Sequence, residues 1–425
     1  MEMSLTSETV IKGVRNTLFI MALSLLACCH GGSDQSETVP TRWLGPTANG
    51  IYPETGLLTR WPDEGPEILR IYDSLGVGFS TAVIQNDHLF ITGMIDSTGY
   101  LFKFNLEGKL IYRVPYGLEF TGSYPGTRGS PVIVGDRVYL ESGRGKLVCF
   151  RNEDGAVIWS KDLLHDFDGK NIFWGMNETP VVDGDVIYAT PGGQEYNVVA
   201  LDRFNGDLVW KCRGEGEVSA YCTPLLFVHN GRRMLVSHTA SHLMGIDVST
   251  GSLLWSEDRP TEWSVHCITP IYYQGELYYG TGNGRGGGKL KLSEDGSQVY
   301  PVWENQLGDI RFASLLWDGY LYESFDEIKE LKWRCVEWST GKEMFRSKEL
   351  AAGVIICADG MLYCYATSGA LALVKPDTTG FHIVSQTKVK QGSGVHIAVP
   401  SIHEGVLYVR HGNALIAYQV KDRSK

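Results

Sequence analysis

Residues 131–159 read PVIVGDRVYLESGRGKLVCFRNEDGAVIW, and this stretch decides the fold. It runs through an apolar segment, a Gly-Asp turn and a second apolar segment ending in Tyr139. A further apolar run around Cys149 follows, then the turn Glu153-Asp154-Gly155 and the segment Gly155-Ala-Val-Ile-Trp159. Val, Ile, Tyr and Trp suit a pleated, half-buried surface, and glycine-bearing turns supply the positive φ that tight hairpins need. Four short strands in one antiparallel sheet are expected. No run of helical periodicity competes with that reading.

The unit recurs. Gly-x-x-x-aromatic returns at Gly108–Tyr112, Gly206–Trp210, Gly251–Trp255, Gly296–Tyr300 and Gly341–Phe345, with a weaker copy at Gly380–Val384. The element ahead of it returns at Pro180–Tyr188, Pro270–Tyr278, Ser314–Tyr322, Ile355–Tyr363 and Pro400–Tyr408, and more loosely at Thr81–Phe90 and Pro224–Val236. Asp183-Gly184, Asn230-Gly231, Asp318-Gly319 and Asp359-Gly360 mark the first hairpin of their units. A four-stranded unit with a period of about 45 residues is a propeller blade.

The copies number eight, and the last lacks its outer strand, because only Ala414–Val420 follows Tyr408. Gly65–Ile71 stands ahead of the first copy as an orphan strand. Pairing the two in one blade closes the ring and removes two exposed sheet edges. The expected fold is all-β: an eight-bladed β-propeller of four-stranded antiparallel blades over residues 61–425, monomeric as a closed ring.

The first residues read differently. Lys12 and Arg15 precede an apolar run, Thr17–Ala27, too short to span a bilayer and right for a signal-peptide core. It ends in Leu25-Leu26-Ala27-Cys28, which resembles a bacterial lipobox. Residues 1–28 are expected to be a lipoprotein signal peptide with Cys28 as the lipidated residue, and 29–60 a tether and N-terminal segment. The chain then faces the periplasm or sits at the outer membrane, held to a membrane by its lipid.

A net charge of −11 argues against nucleic acid as a partner. Beyond Cys28 and Cys29, the seven remaining cysteines form neither CxxC nor CxxCH, so no zinc ribbon, redox motif or covalent haem is signalled. Cys149 and Cys335 sit in strand-like runs and read as small core residues. The glycine run Gly280–Gly288 follows a strand but leads into no helix, so it reads as a loop rather than a phosphate cradle. Trp159, Trp210 and Trp255 recur in one register, which suits locking blades together better than stacking on a cofactor.

Units such as Val199-Ala-Leu-Asp202 leading to Gly206-Asp-Leu-Val-Trp210, together with Trp43–Gly50 and Trp61-Pro62, carry a family resemblance over roughly Trp43 to Val420. The chain resembles the pyrroloquinoline-quinone-like repeat propellers of bacterial envelopes. At fold level it is similar to the propeller lipoprotein of the outer-membrane β-barrel assembly machinery. The resemblance implies one of two functions. One is a non-catalytic binding or scaffold protein with an envelope protein, peptide or glycan as ligand and no cofactor. The other is a quinone (PQQ)-dependent dehydrogenase oxidising an alcohol or sugar, which needs PQQ with calcium. In many of the family's enzymes a vicinal disulfide lies above the quinone. Here the adjacent cysteines are Cys28 and Cys29, at the processing site, which favours the first function.

The residues just before each inner strand are the candidates for ligand contact, since in propellers these segments line one end of the channel. They include Arg128, Trp174, Asn177, Glu178, Tyr221, His266, Arg311 and His396. Arginine forks and flat aromatic surface would suit an anionic or sugar-like ligand. Asn177 and Glu178 alone are a thin set for calcium, and no metal site is expected.

Overall fold

The computed structural model describes residues 39–305, 308–325 and 332–423. Its strands form eight sheets in succession, seven of four strands and one of five. These are the blades of a propeller, and helix is nearly absent. Blade 2 shows the pattern: Val132–Val134, Arg137–Glu141, Lys146–Arg151 and Val157–Asp162 pair as antiparallel neighbours from channel to rim. The first three strands are almost wholly buried, whereas the outermost is mostly exposed. Inner strands are covered on both faces by adjacent blades and so read as continuous apolar runs, while the rim strand keeps one face in water.

At Gly155, Gly206, Gly251 and Gly341 the repeated glycine and an aromatic of the preceding blade are the two halves of one contact, whereas Gly296 meets Met234 rather than Trp255. Gly206 has φ +77° and carries the Trp159 ring of the previous blade where a Cβ would stand, 2.9 Å away. Gly251 receives Trp210 in the same way, at 2.7 Å, and Gly341 receives Trp303, at 2.6 Å. Each indole then donates onward across the seam, Trp159 Nε1 to Arg203 O at 3.0 Å and Trp210 Nε1 to Val248 O at 2.9 Å. Positive φ and ring contact both demand glycine here. In blade 5 the locking ring is Trp303, not the Tyr300 of the sequence pattern. The hairpin of blade 5 runs two pairs further, to Leu292 opposite Val299, so Trp303 takes the place after the register shift that Trp210 takes in blade 3, and Tyr300 stays exposed. All seven described cysteines are free thiols, and Cys149 and Cys335 are fully buried. The run Gly280–Gly288 is the turn between two strands of blade 5.

The ring closes in blade 8, where Ile68–Tyr72 lies antiparallel to Ala414–Gln419 with Ile68 opposite Tyr418. A second tie was not visible in the repeat pattern. Thr41 exchanges two backbone hydrogen bonds, both 2.9 Å, with Ile133 on the inner strand of blade 2. Ile51–Tyr52 then pairs in parallel with the inner strand of blade 7, Ile51 opposite Cys357, and makes that sheet five-stranded. Residues 41–52 therefore cross the central channel. They do so near its hairpin-turn end: Glu54 accepts from the backbone amides of Glu404 and Gly405, and the Asp359 carboxylate accepts from Leu57 N at 2.8 Å. Cys28 and the expected signal peptide, residues 1–28, lie outside the described residues.

Candidate functional site

At the end opposite this plug, a hydroxyl belt joins the blades. Thr81 N donates to Ser130 Oγ at 2.9 Å, Ser130 N to Thr179 Oγ1 at 3.4 Å, and Thr179 N to Thr223 Oγ1 at 3.0 Å. Thr269 Oγ1 continues it by donating to Thr223 O at 2.9 Å. Each belt residue stands two residues ahead of its inner strand; the hydroxyls of Ser130, Thr179 and Thr223 each satisfy a backbone amide that has left the sheet ladder, while those of Thr81 and Thr269 donate to carbonyls. At the matching places in the last three blades stand Ala313, Val354 and Val399, so the belt carries no hydroxyl there, although Thr81 Oγ1 reaches blade 8 by donating to Val399 O at 2.8 Å.

Above the belt lies a cavity of about 580 Å³. Its wall takes Phe79, Arg128, Asn177, Tyr221, Cys267, Arg311 and Ile397, each two residues ahead of the belt position in its blade. An extended segment points alternate side chains to opposite sides, and in these seven blades this position faces the channel. Trp174 and His396 reach the cavity from farther up their loops, and Trp43, from the plug segment, also lines it.

Of the eight residues singled out in the sequence, Arg128, Trp174, Asn177, Tyr221, Arg311 and His396 thus share one cavity. Glu178 and His266 do not line it. Each turns into a seam between blades instead. Glu178 is buried beside Glu141, and burial pushes its carboxyl up to about 8. Glu141 is raised well above the ordinary range, by burial first and by Glu178 next. His266 stacks on His238 with ring centres 4.4 Å apart, and burial pushes it down to about 4.

The two arginines hold loops. Arg128 Nη1 donates to Gly126 O at 2.7 Å and Nη2 to Tyr124 O at 2.7 Å, with the guanidinium over the Phe120 ring. Arg311 Nε donates to the buried Asp309 carboxylate at 2.7 Å and Nη2 to Asn283 Oδ1 at 2.7 Å. Asn177 Nδ2 donates to Tyr221 O at 3.2 Å. His396 Nδ1 meets Tyr365 OH at 2.5 Å and its ring stacks on His411; burial, then His411, pulls it down to about 4. At the rim, Phe173 and Trp263 are 59% and 56% exposed and pack against Trp174. Sequence reading passed over both, since they stand in loops outside the repeat register.

The lining holds no Asp or Glu. Among the described residues there is also no group of three His, Cys, Asp or Glu placed to hold a metal ion. With Glu178 turned away and no carboxylate in the lining, the donor set does not fit a calcium-held quinone.

The family described as outer membrane protein assembly factor BamB (PQQ_2) matches residues 97–261 and 172–309, together half of the chain. The chain belongs to this family. BamB from Moraxella catarrhalis superposes with a TM-score of 0.58 at 12% identity, covering 83% of this chain and 99% of that one. The quinohemoprotein alcohol dehydrogenase ADHIIG from Pseudomonas putida HK5 superposes with a TM-score of 0.60 at 9% identity, covering 89% of this chain and 79% of that one. Identities this low establish a shared fold only. By sequence, the chain is 24% identical over 262 residues to a tetrathionate hydrolase of Acidithiobacillus ferrooxidans, covering 58% of this chain and 48% of the hydrolase. The chain spans about half the length of the curated relatives it matches.

Proposed function

We propose that this BamB-family chain is a non-catalytic binding propeller of the bacterial envelope, anchored through Cys28 and receiving its ligand in the cup above the hydroxyl belt. One observation carries the reading. Its own residues 41–52 cross the channel, so the mouth is a blind cup lined by guanidinium, amide, hydroxyl and aromatic groups without a carboxylate. Concave sites with a few convergent polar groups on a largely apolar wall are what ligand binding needs. Family membership supports the envelope and the scaffold role, and the lipobox-like Leu25–Cys28 supports the anchor.

The test uses the mature protein with a photo-crosslinking residue at Thr179 in the cup or at Leu208 on the outer wall. In envelope extract, adducts form from the cup position and not from the wall. Titration with quinone and calcium leaves no bound chromophore. Stoichiometric quinone uptake with dye-linked oxidation of an alcohol or sugar overturns the reading and establishes a dehydrogenase.

A further inference from the structure

We infer that the rim cluster of Phe173, Trp174 and Trp263 is a carbohydrate subsite, which stacks against the C–H face of a pyranose ring entering the cup. The inference rests on the binding reading above and names the ligand class for it.

Three observations lead there. The rings meet at steep angles, 79° between Phe173 and Trp174, 68° between Trp174 and Trp263 and 49° between Phe173 and Trp263. Such packing supports each ring by its edge while Phe173 and Trp263 stay more than half exposed.

The backbone is strained to keep them there. Trp263 has φ +61° and Ser264 φ +57°, a left-handed conformation that bulky side chains rarely adopt. Tyr124, 56% exposed on the loop that Arg128 clamps, has φ +56°. Strain of this kind persists where the surroundings over-determine it, and it gathers at ligand clamps. The surroundings are visible: Asn283 Nδ2 donates to Glu262 O, next to Trp263, and Arg311 holds the Asn283 amide from the other side. Arg311 is therefore a positioning residue for an aromatic-bearing loop.

The third observation is the adjoining wall. Trp174 roots on Tyr221, ring centres 5.6 Å apart, and beside them the cavity offers Asn177, Thr179 and Thr223. An apolar peptide side chain would need an enclosed socket. Open ring faces beside amide and hydroxyl groups instead match a ligand with one apolar face and a hydroxylated edge.

The experiment is native affinity electrophoresis in gels containing hydroxyethylcellulose, glycol chitin or dextran, with tryptophan fluorescence titration by cellopentaose and chitopentaose. At least one polysaccharide retards the wild type. Trp263→Ala and Phe173→Ala each weaken that binding about tenfold or more without lowering the melting temperature. Trp263→Gly, which removes the ring and also relieves the positive φ, loses binding equally and melts at or above Trp263→Ala. Arg311→Lys, which keeps charge but loses the fork, shifts the tryptophan emission and weakens binding. Absence of retardation by every polysaccharide and oligosaccharide overturns the inference, as does full binding in both ring variants. A marked fall in melting temperature of both alanine variants also overturns it, by making the rings structural. If the sugars fail while photo-adducts still form from the cup, only the carbohydrate assignment falls; quinone uptake would remove the binding reading itself.

Discussion

The seam between blades 2 and 3 and the seam between blades 4 and 5 are built to the same plan with opposite chemistry. In both, a residue at the end of a blade's second strand meets one from the segment leading into the next blade. In the first seam these are Glu141 and Glu178, and in the second His238 and His266. Both Glu141 oxygens, Glu178 Oε1, both His238 nitrogens and His266 Nδ1 are buried without a hydrogen-bond partner among the described residues. Burial keeps each pair neutral, and neutrality means a bound proton for the acids and a lost one for the imidazoles. The repeat thus fixes where a polar pair sits, and the residue type decides which end of the pH scale loosens the seam.

The sharpest break of this comparison is Glu178→Gln. The folded-state pKa is raised to about 8, so the stability it contributes is present below the ordinary carboxyl range and drains away as pH rises towards 8. The amide cannot ionise, so the variant is expected to be more stable than wild type at pH 8, by on the order of 2 kcal/mol in a urea midpoint analysis, with little gain at pH 4. An equal effect at both pH values would show that ionisation is not what matters in this seam.

The mirror experiment replaces His266 with Phe. The folded pKa is lowered from 6.5 to about 4, so stability is full above the unfolded value and is lost as pH falls between the two. The variant is expected to flatten that acid loss, by roughly 1–2 kcal/mol at pH 4, without changing the alkaline limb. A pH–stability profile parallel to wild type would contradict it.

A smaller effect tests the hydroxyl belt that both seams share. Thr179→Val removes the acceptor for Ser130 N and is expected to cost about 1 kcal/mol. Val354→Thr, at a place where the belt carries no hydroxyl, is expected to change stability by less. Similar costs at the two sites would mean that the belt amides find other partners.

How much of this could be read beforehand depends on how local the signal was. The blades were legible because glycine, turn and aromatic recur within a few residues of one another, although the pattern pointed to Tyr300 where a longer hairpin puts Trp303. The blade-8 closure was legible because Ile68 and its neighbours left one strand over. The passage of residues 41–52 through the channel was not, since its partners Ile133 and Cys357 are distant in sequence and the pairing leaves no periodic trace. For the cup, the segments were right but their facing was not. Glu178 and His266 differ from Asn177 and Cys267 by a single residue and turn into seams, whereas His396, at the same offset in blade 8 as His266 in blade 5, lines the cavity, so offset alone does not fix the facing. The rim aromatics were invisible for a simpler reason: Phe173 and Trp263 belong to loops of unequal length, where no register exists.

The pairing of Ile68–Tyr72 with Ala414–Gln419 has a consequence in time as well as in space. A strand made early in synthesis must wait for one made near the end, and meanwhile Arg70, Ile71 and Tyr72 have no ladder to join. Contacts of such sequence separation form slowly, because the loop they close is long. A chain with that dependence keeps its ring open until its last strand is made, and that late strand sets when the propeller becomes a closed body.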